Sequence, residues 1–262
     1  VCVPPGCMAG SGVVGWNYAS GMKIPVHIPL LDNTASFLTG LTHVYQRFGR
    51  EDVNIIAVAG DGASADCGFQ SLSGAAERGE HMLYICYDNE GYMNTGYQRS
   101  STTTMGSRTS TTPIGTVISG KQQAQKYVPL IMAMHGVEYC ATATPWNMKD
   151  LMEKVQKGLE ASKRGFAYIH MCAPCTTGWS FAQDQGIEVA KRAVRSNMFP
   201  VWEKTSEGYK LSYVNNSPIS IKEFVTGIGK FKNLSDEQLS EIQKTADERL
   251  SLIHISEPTR QA

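Results

Sequence analysis

Residues 53–62 read VNIIAVAGDG and residues 82–89 read MLYICYDN. Each is an unbroken apolar run that stops at a polar, turn-forming pair. Runs of this length, apolar on both faces, suit strands of a parallel sheet covered on both sides. Helical spacing fills the intervals. Residues 35–48 carry apolar side chains on one face and stop at Gly49, and residues 69–78 do the same and stop at Gly79. Further along, helices are expected over 127–135, from an Asn147 cap to about Ser162, and over 187–195. Strands are expected over 137–142 and 166–171. Strand and helix alternating at this pitch give an α/β fold, a parallel sheet with helices on both faces. In such folds ligands bind at the carboxyl ends of the strands.

Composition narrows the function. The 262 residues are 42% apolar and 18% charged, enough for a sizeable core and unlike a disordered chain. Lys plus Arg and Asp plus Glu are 24 each, so charge makes no case for nucleic acid or an anionic membrane as partner. Seven cysteines without secretory features point to reduced thiols in a cytoplasm and to possible metal ligands.

The stretch from Asn89 to Gln125 breaks the alternation. It is long, rich in Ser, Thr and Gly, and follows a buried strand directly, as a site loop does. Gly60-Asp61-Gly62 follows the first strand, and Asn89 follows the second after 26 intervening residues. Glycines let a backbone approach a diphosphate, and the helix start behind them favours its charge. Asp61 and Asn89 offer two hard oxygens from adjacent strand ends, as Mg2+ bridging to a phosphate requires. A lone GDG is a turn more often than a site. The pair at this spacing matches the thiamine-diphosphate motif, and with it the diphosphate-domain fold.

Residues 60–104, GDGASADCGFQSLSGAAERGEHMLYICYDNEGYMNTGYQRSSTTT, closely resemble the β subunits of the 2-oxoacid:ferredoxin oxidoreductase family, pyruvate:ferredoxin oxidoreductases (pyruvate synthases) above all. The resemblance runs from about Val3 to Tyr209. It implies that Asp61, Asn89 and the backbone carbonyl of Gly91 bind Mg2+, where relatives often have Ala or Val at the last position. It implies that Asn94, followed by Thr95 and Gly96, faces the thiazolium ring and the reacting substrate. It also implies the reaction: oxidative decarboxylation of a 2-oxoacid, with acyl transfer to coenzyme A and electrons passed to an iron–sulfur cluster and ferredoxin, in either direction. Pyruvate is the expected 2-oxoacid. A glutamate on a pyrimidine-binding domain, and the arginine that holds the substrate carboxylate, then belong to an α subunit. The isolated chain is expected to have no turnover.

The same resemblance matches Cys7, in PPGCM, and Cys175, in APCTTGW, to two of four cysteines that hold a [4Fe-4S] cluster. The other two, a CxxC pair near the N-terminus, have no counterpart in this chain, and four thiolates are the usual requirement. Cys172 makes a local CxxC with Cys175, yet its expected role is strand-end packing. Cys86 and Cys140 are expected in the core. Cys67 follows the GDG turn with no assigned role, and Cys2 is left open. Trp16 and Trp179 are expected to pack near the cofactor or cluster, and no histidine receives a role. Residues 1–199 are expected to form the cofactor-binding domain and 200–249 a peripheral extension ending in a solvated helix over 235–249. Residues 250–260, LSLIHISEPTR, resemble a translated sequencing adapter, so 250–262 is expected to be non-native and the chain truncated at its front. Two other classes fit part of the pattern. A non-redox thiamine enzyme of decarboxylase or transketolase type needs neither Cys7 nor Cys175. An iron–sulfur electron carrier needs neither Asp61 nor Asn89.

Overall fold

The computed structural model describes residues 1–9, 24–115 and 119–255. Trp16 lies outside them, as do residues 256–262. In chain order the main elements are α1 (Thr34–Arg47), β1 (Ile56–Gly60), α2 (Phe69–Glu77), β2 (Met82–Asp88), α3 (Val128–Ala133) and β3 (Tyr139–Ala143). There follow α4 (Met148–Ser162), β4 (Phe166–Cys172), α5 (Gly186–Arg195), β5 (Trp202–Thr205), β6 (Gly208–Leu211), α6 (Ile221–Val225) and α7 (Asp236–Ile255). The strands form one sheet in the order β1-β2-β4-β3-β5-β6. The four expected strands pair in parallel, with Ile56 opposite Leu83 and Met82 opposite Phe166. The parallel order puts the carboxyl ends of β1, β2 and β4 side by side, and the GDG turn, the Asn89 loop and the Cys175 loop leave from those ends.

Side-chain alternation explains the two covered faces. Met82, Tyr84, Cys86, Phe166 and Tyr168 point into one core with α1, α2 and α3. Leu83, Ala167 and Ile169 point into another beneath α4, whose Leu151, Val155 and Leu159 pack on it. Gly158 brings α4 close to the sheet, where an added Cβ would lie 2.9 Å from Leu83 Cδ1. Asn147 caps α4, its side chain accepting from the Asp150 amide. The chain start lies beside β1. The Cys2 amide donates to Ile56 O at 2.7 Å and Cys2 O accepts from Val58, which carries Pro5 to Cys7 toward the carboxyl end of that strand.

The C-terminal residues are not peripheral. β5 extends the sheet antiparallel to β3, β6 pairs antiparallel to β5, and Trp202 is fully buried with its Nε1 donating to Tyr127 Oη. α7 begins at a reciprocal Ser235–Gln238 cap. It is not solvated along its length, because Ile242 and Ala246 are buried with Trp179, Phe224 and their neighbours and Arg249 is buried over the Tyr127 ring. The period of its charged residues hid an apolar stripe. Residues 250–255, within the adapter-like stretch, continue α7, and Ile253 is fully buried. No helix among the described residues is long and apolar enough to cross a membrane.

Trp202→Ala should cost about 3–5 kcal/mol, like other buried aromatic truncations. A urea midpoint unchanged from wild type would show that 200–255 folds apart from the sheet. Burial also raises the thiols of Cys2, to about 11, and of Cys86, Cys140 and Cys172. In the unfolded chain these groups lose protons near pH 8.5. The folded state keeps protons that the unfolded state has lost, so the thiols' contribution to stability is fully present below about pH 8 and is lost as pH rises toward 11. Lys121, lowered to about 8 by burial, and Lys154 and Lys230, lowered by the same cause, work in the opposite direction, but the four thiols outnumber the three lysines. Urea midpoints at pH 7.5 and 10 test the sign.

Candidate functional site

β1 delivers Gly60, Asp61 and Gly62 to the base of a cavity of about 300 Å3. Pro5, Gly6, Cys7, Asn89, Gly91, Tyr92, Asn94 and Thr95 complete most of its wall. The expected cofactor residues therefore meet in one place. Cys175 does not line the cavity but stands next to Cys7, near enough for its charge to help hold the Cys7 thiol up. Burial is the larger cause there, and the Asn89 amide, 3.8 Å from Cys7 Sγ, opposes it. Cys175 Sγ in turn accepts the Gly178 amide at 3.3 Å.

Gly62 is required by contact. A Cβ there would lie 2.4 Å from Tyr92 Cε1, because the Tyr92 ring lies across the glycine. Asp61 is almost fully buried, and that burial first, then the nearby Asp88 charge, raises its carboxyl well above the carboxylate range. Thr102 Oγ1 lies 3.0 Å from Asp61 Oδ2 and 2.8 Å from Asp88 Oδ1. A hydroxyl has one proton, so it can donate to only one of them. The other contact calls for a proton or a cation on the carboxyl.

Asn89 stands against the same carboxyl. With its nitrogen toward Cys7, its side-chain oxygen is 3.1 Å from Asp61 Oδ1 and 2.9 Å from Gly91 O. Three oxygens so placed repel one another. An amide turned the other way donates to both neighbours instead. Asn94 and Thr95 lie exposed on a 3-10 turn, which Gln98 closes by accepting from Thr95 Oγ1 and donating to Thr95 O.

Sequence reasoning missed the groups behind this wall. His170 Nε2 is 2.9 Å from Asp88 Oδ2, and its Nδ1 is 2.8 Å from Tyr168 Oη. This pairing, offset by burial, leaves the Asp88 carboxyl lowered. Two polar rings two residues apart on one strand share a face, and that was the available signal. Glu90, buried, accepts from the Thr104 amide, from Thr104 Oγ1 and from Lys230 Nζ, each at 2.7–2.8 Å. Nothing local to either residue announces a pair 140 positions apart. Trp179 packs behind the site as expected, and its Nε1 also donates to Asn89 O at 2.7 Å. Cys172, Cys86 and Cys140 are buried packing residues, Cys2 is buried beside β1, and Cys67 is exposed with its thiol donating to Gly62 O. Among the described residues no group of three or more His, Cys, Asp and Glu has the placement of a metal site.

Residues 18–171 match the family "Thiamine pyrophosphate enzyme, C-terminal TPP binding domain". The chain is 42% identical to pyruvate synthase subunit PorB of Methanothermobacter thermautotrophicus, over 86% of this chain and 77% of that one. The chain belongs to the 2-oxoacid:ferredoxin oxidoreductase family. It is a β-type subunit of these thiamine-diphosphate-dependent enzymes. It is also 47% identical to the β subunit of NADH-dependent phenylglyoxylate dehydrogenase from Aromatoleum evansii, over 97% of this chain but only 57% of that subunit. A 2-oxoglutarate:ferredoxin oxidoreductase from Magnetococcus marinus shares the fold, with a TM-score of 0.55 at 18% identity over 98% of this chain and 82% of that one.

Gly62→Ala should cost about 1–3 kcal/mol by overpacking against the Tyr92 ring. Tyr92→Ala in the same chain should recover most of that loss. A double-mutant cycle by urea unfolding with no coupling between the two would refute the contact.

Proposed function

We propose that this chain is the diphosphate-binding half of a 2-oxoacid oxidoreductase that oxidatively decarboxylates pyruvate. The meeting of Asp61, Asn89 and Gly91 oxygens beside Cys7 carries the reading. Magnesium wants six oxygens at about 2.1 Å in an octahedron, whose edge is about 3.0 Å. The Asn89 oxygen stands at 3.1 and 2.9 Å from its two neighbours, each close to the length of an octahedral edge. A cation there would turn the repulsion among them into shared coordination and would complete the Asp61 contact that Thr102 leaves short of a proton. Gly60 and Gly62 leave the wall open to a diphosphate. When bound, thiamine diphosphate supplies the carbanion chemistry at its thiazolium carbon.

This chain's own residues anchor and orient. Asp61, Asn89 and the Gly91 carbonyl hold the metal, and through it the diphosphate. Asn94 and Thr95, at the open rim, face the reacting end. Cys7 and Cys175 are two of four ligands to a [4Fe-4S] cluster, and the Gly178 amide on Cys175 Sγ suits a thiolate ligand. The exposed rim fits closure by an α subunit that brings the pyrimidine domain, its glutamate and the substrate-binding arginine. Coenzyme A accepts the acyl group, ferredoxin accepts the electrons, and the reaction belongs in the cytoplasm.

One observation favours a second substrate. The phenylglyoxylate dehydrogenase subunit is more alike in sequence, at 47%, than the PorB subunit at 42%. An aryl 2-oxoacid with a nicotinamide acceptor is therefore the alternative. Anaerobic co-expression with the neighbouring α-type subunit, followed by assay with coenzyme A, separates the two. Pyruvate turnover with ferredoxin is expected, and faster turnover of phenylglyoxylate would overturn the choice of pyruvate. Asp61→Asn should weaken Mg2+-dependent binding of thiamine diphosphate by at least about 100-fold, beyond the usual cost of an outer-shell change. Unchanged binding would remove Asp61 from the metal site.

A further inference from the structure

The Asn89-Glu90-Gly91 turn must send the Asn89 side chain and the Gly91 carbonyl the same way. It does so by putting Glu90 at φ +60, in the left-handed region that a glutamate seldom occupies. Such a conformation persists only where its surroundings fix it. Here most of the polar groups of the turn are held. The Glu90 amide donates to Asp88 Oδ1 at 2.8 Å, and its carbonyl accepts from Thr103 Oγ1 at 2.7 Å. Trp179 Nε1 donates to Asn89 O, and the Met93 amide donates to Gly91 O at 3.0 Å, which leaves that carbonyl a second lone pair. The Glu90 carboxylate is anchored by Thr104 and by Lys230.

Lys230 connects these supports. Its ammonium lies 2.8 Å from Glu90 Oε2 and 3.3 Å from the centre of the Trp179 ring. It therefore grips both side chains that fix the turn from behind. Its backbone is fastened as well, its amide donating to Trp179 O at 3.1 Å and its carbonyl accepting from the Arg108 amide at 2.9 Å. Lys230 and Glu90 are both at least nine-tenths buried, so neither charge can fall back on water. Among the described residues Lys230 is the only cation within ion-pair distance of Glu90.

We propose that Lys230, from the C-terminal region, is a positioning residue for the metal: by holding Glu90 and Trp179 together it keeps the Asn89 and Gly91 oxygens converged on Asp61. The inference rests on the reading of those three oxygens as the metal ligands.

The test uses the co-expressed α–β complex and titrates Mn2+ in the presence of thiamine diphosphate, with free Mn2+ read by electron paramagnetic resonance. Lys230→Met should raise the Mn2+ Kd by about tenfold or more, the scale of outer-shell losses at metal sites. Glu90→Gln combined with Lys230→Met leaves no unpaired charge and keeps the Thr104 contacts. Its Kd should stay raised severalfold, because the grip on residue 90 and Trp179 is still missing, and a return to the wild-type value would show that only the unpaired charge mattered and would overturn the proposal. A Lys230 that served stability alone would lower the thermal midpoint and leave the Kd where it was, and that result overturns the proposal. If Lys230→Met does not fold, Glu90→Gln carries the test, because it keeps both side chains and weakens their pairing. Its Kd should rise severalfold, and an unchanged value overturns the proposal. Wild-type complex that binds no Mn2+ with thiamine diphosphate would instead sink the metal assignment, a failure distinct from that of Lys230.

Discussion

Three carboxylates, Asp61, Asp88 and Glu90, sit almost out of reach of water at adjacent strand ends. Burying one unpaired carboxylate is expensive, and burying three together is more so. The surrounding structure is arranged around that problem. Asp88 is compensated by His170, Thr102 and the Glu90 amide. Glu90 is compensated by Lys230 and Thr104. Asp61 has the Thr102 contact and no cation among the described residues within ion-pair distance, and it is the carboxyl that faces the cavity. Two of the charges are thus settled internally and the third is left for a ligand. On the proposed reading, in which the site takes a divalent ion and a diphosphate, the arrangement favours binding, because no cation among the described residues stands within ion-pair distance of Asp61 to oppose it.

Much of this was legible in the chain. The four parallel strands and the helices between them follow from runs and periods that the sheet reproduces to within a few residues. Asp61, Asn89 and Asn94 declare themselves because their meaning is local, a polar residue directly after an apolar strand. The parallel order of β1, β2 and β4 then brings them to one wall, together with Cys7 and next to Cys175. The residues behind that wall were not legible for a physical reason. A buried Lys230 or Arg249 reads like any solvated charge until a tertiary partner is known. The helix over 235–249 looked solvated because its charged residues mask the spacing of Ile242, Ala246 and Arg249. The extension over 200–249 looked peripheral because two four-residue strands are too short to show a period. His170 lay between, since its partner on the same strand could be seen but its carboxylate could not.

The subunit character of the chain shows in where its polar groups remain open. The diphosphate end of the cavity is walled by buried residues, whereas Asn94 and Thr95 at the other end stand exposed. A residue that faces a reacting group must work in a dry, shaped environment, and the described residues of this chain do not close one over the rim. Closure by a second subunit, as proposed, would supply that environment and would link catalytic competence to assembly.

The span of the Glu90–Lys230 pair has a consequence for biosynthesis. With 140 positions between them, the strand end and its loop leave the ribosome long before the lysine exists. At about 5–20 residues per second that delay is roughly 7–28 s. During it Glu90 lacks the cation that compensates it in the folded chain. Any step that depends on the pair therefore waits until Lys230 has been translated, so the order of synthesis sets the order in which the site can mature.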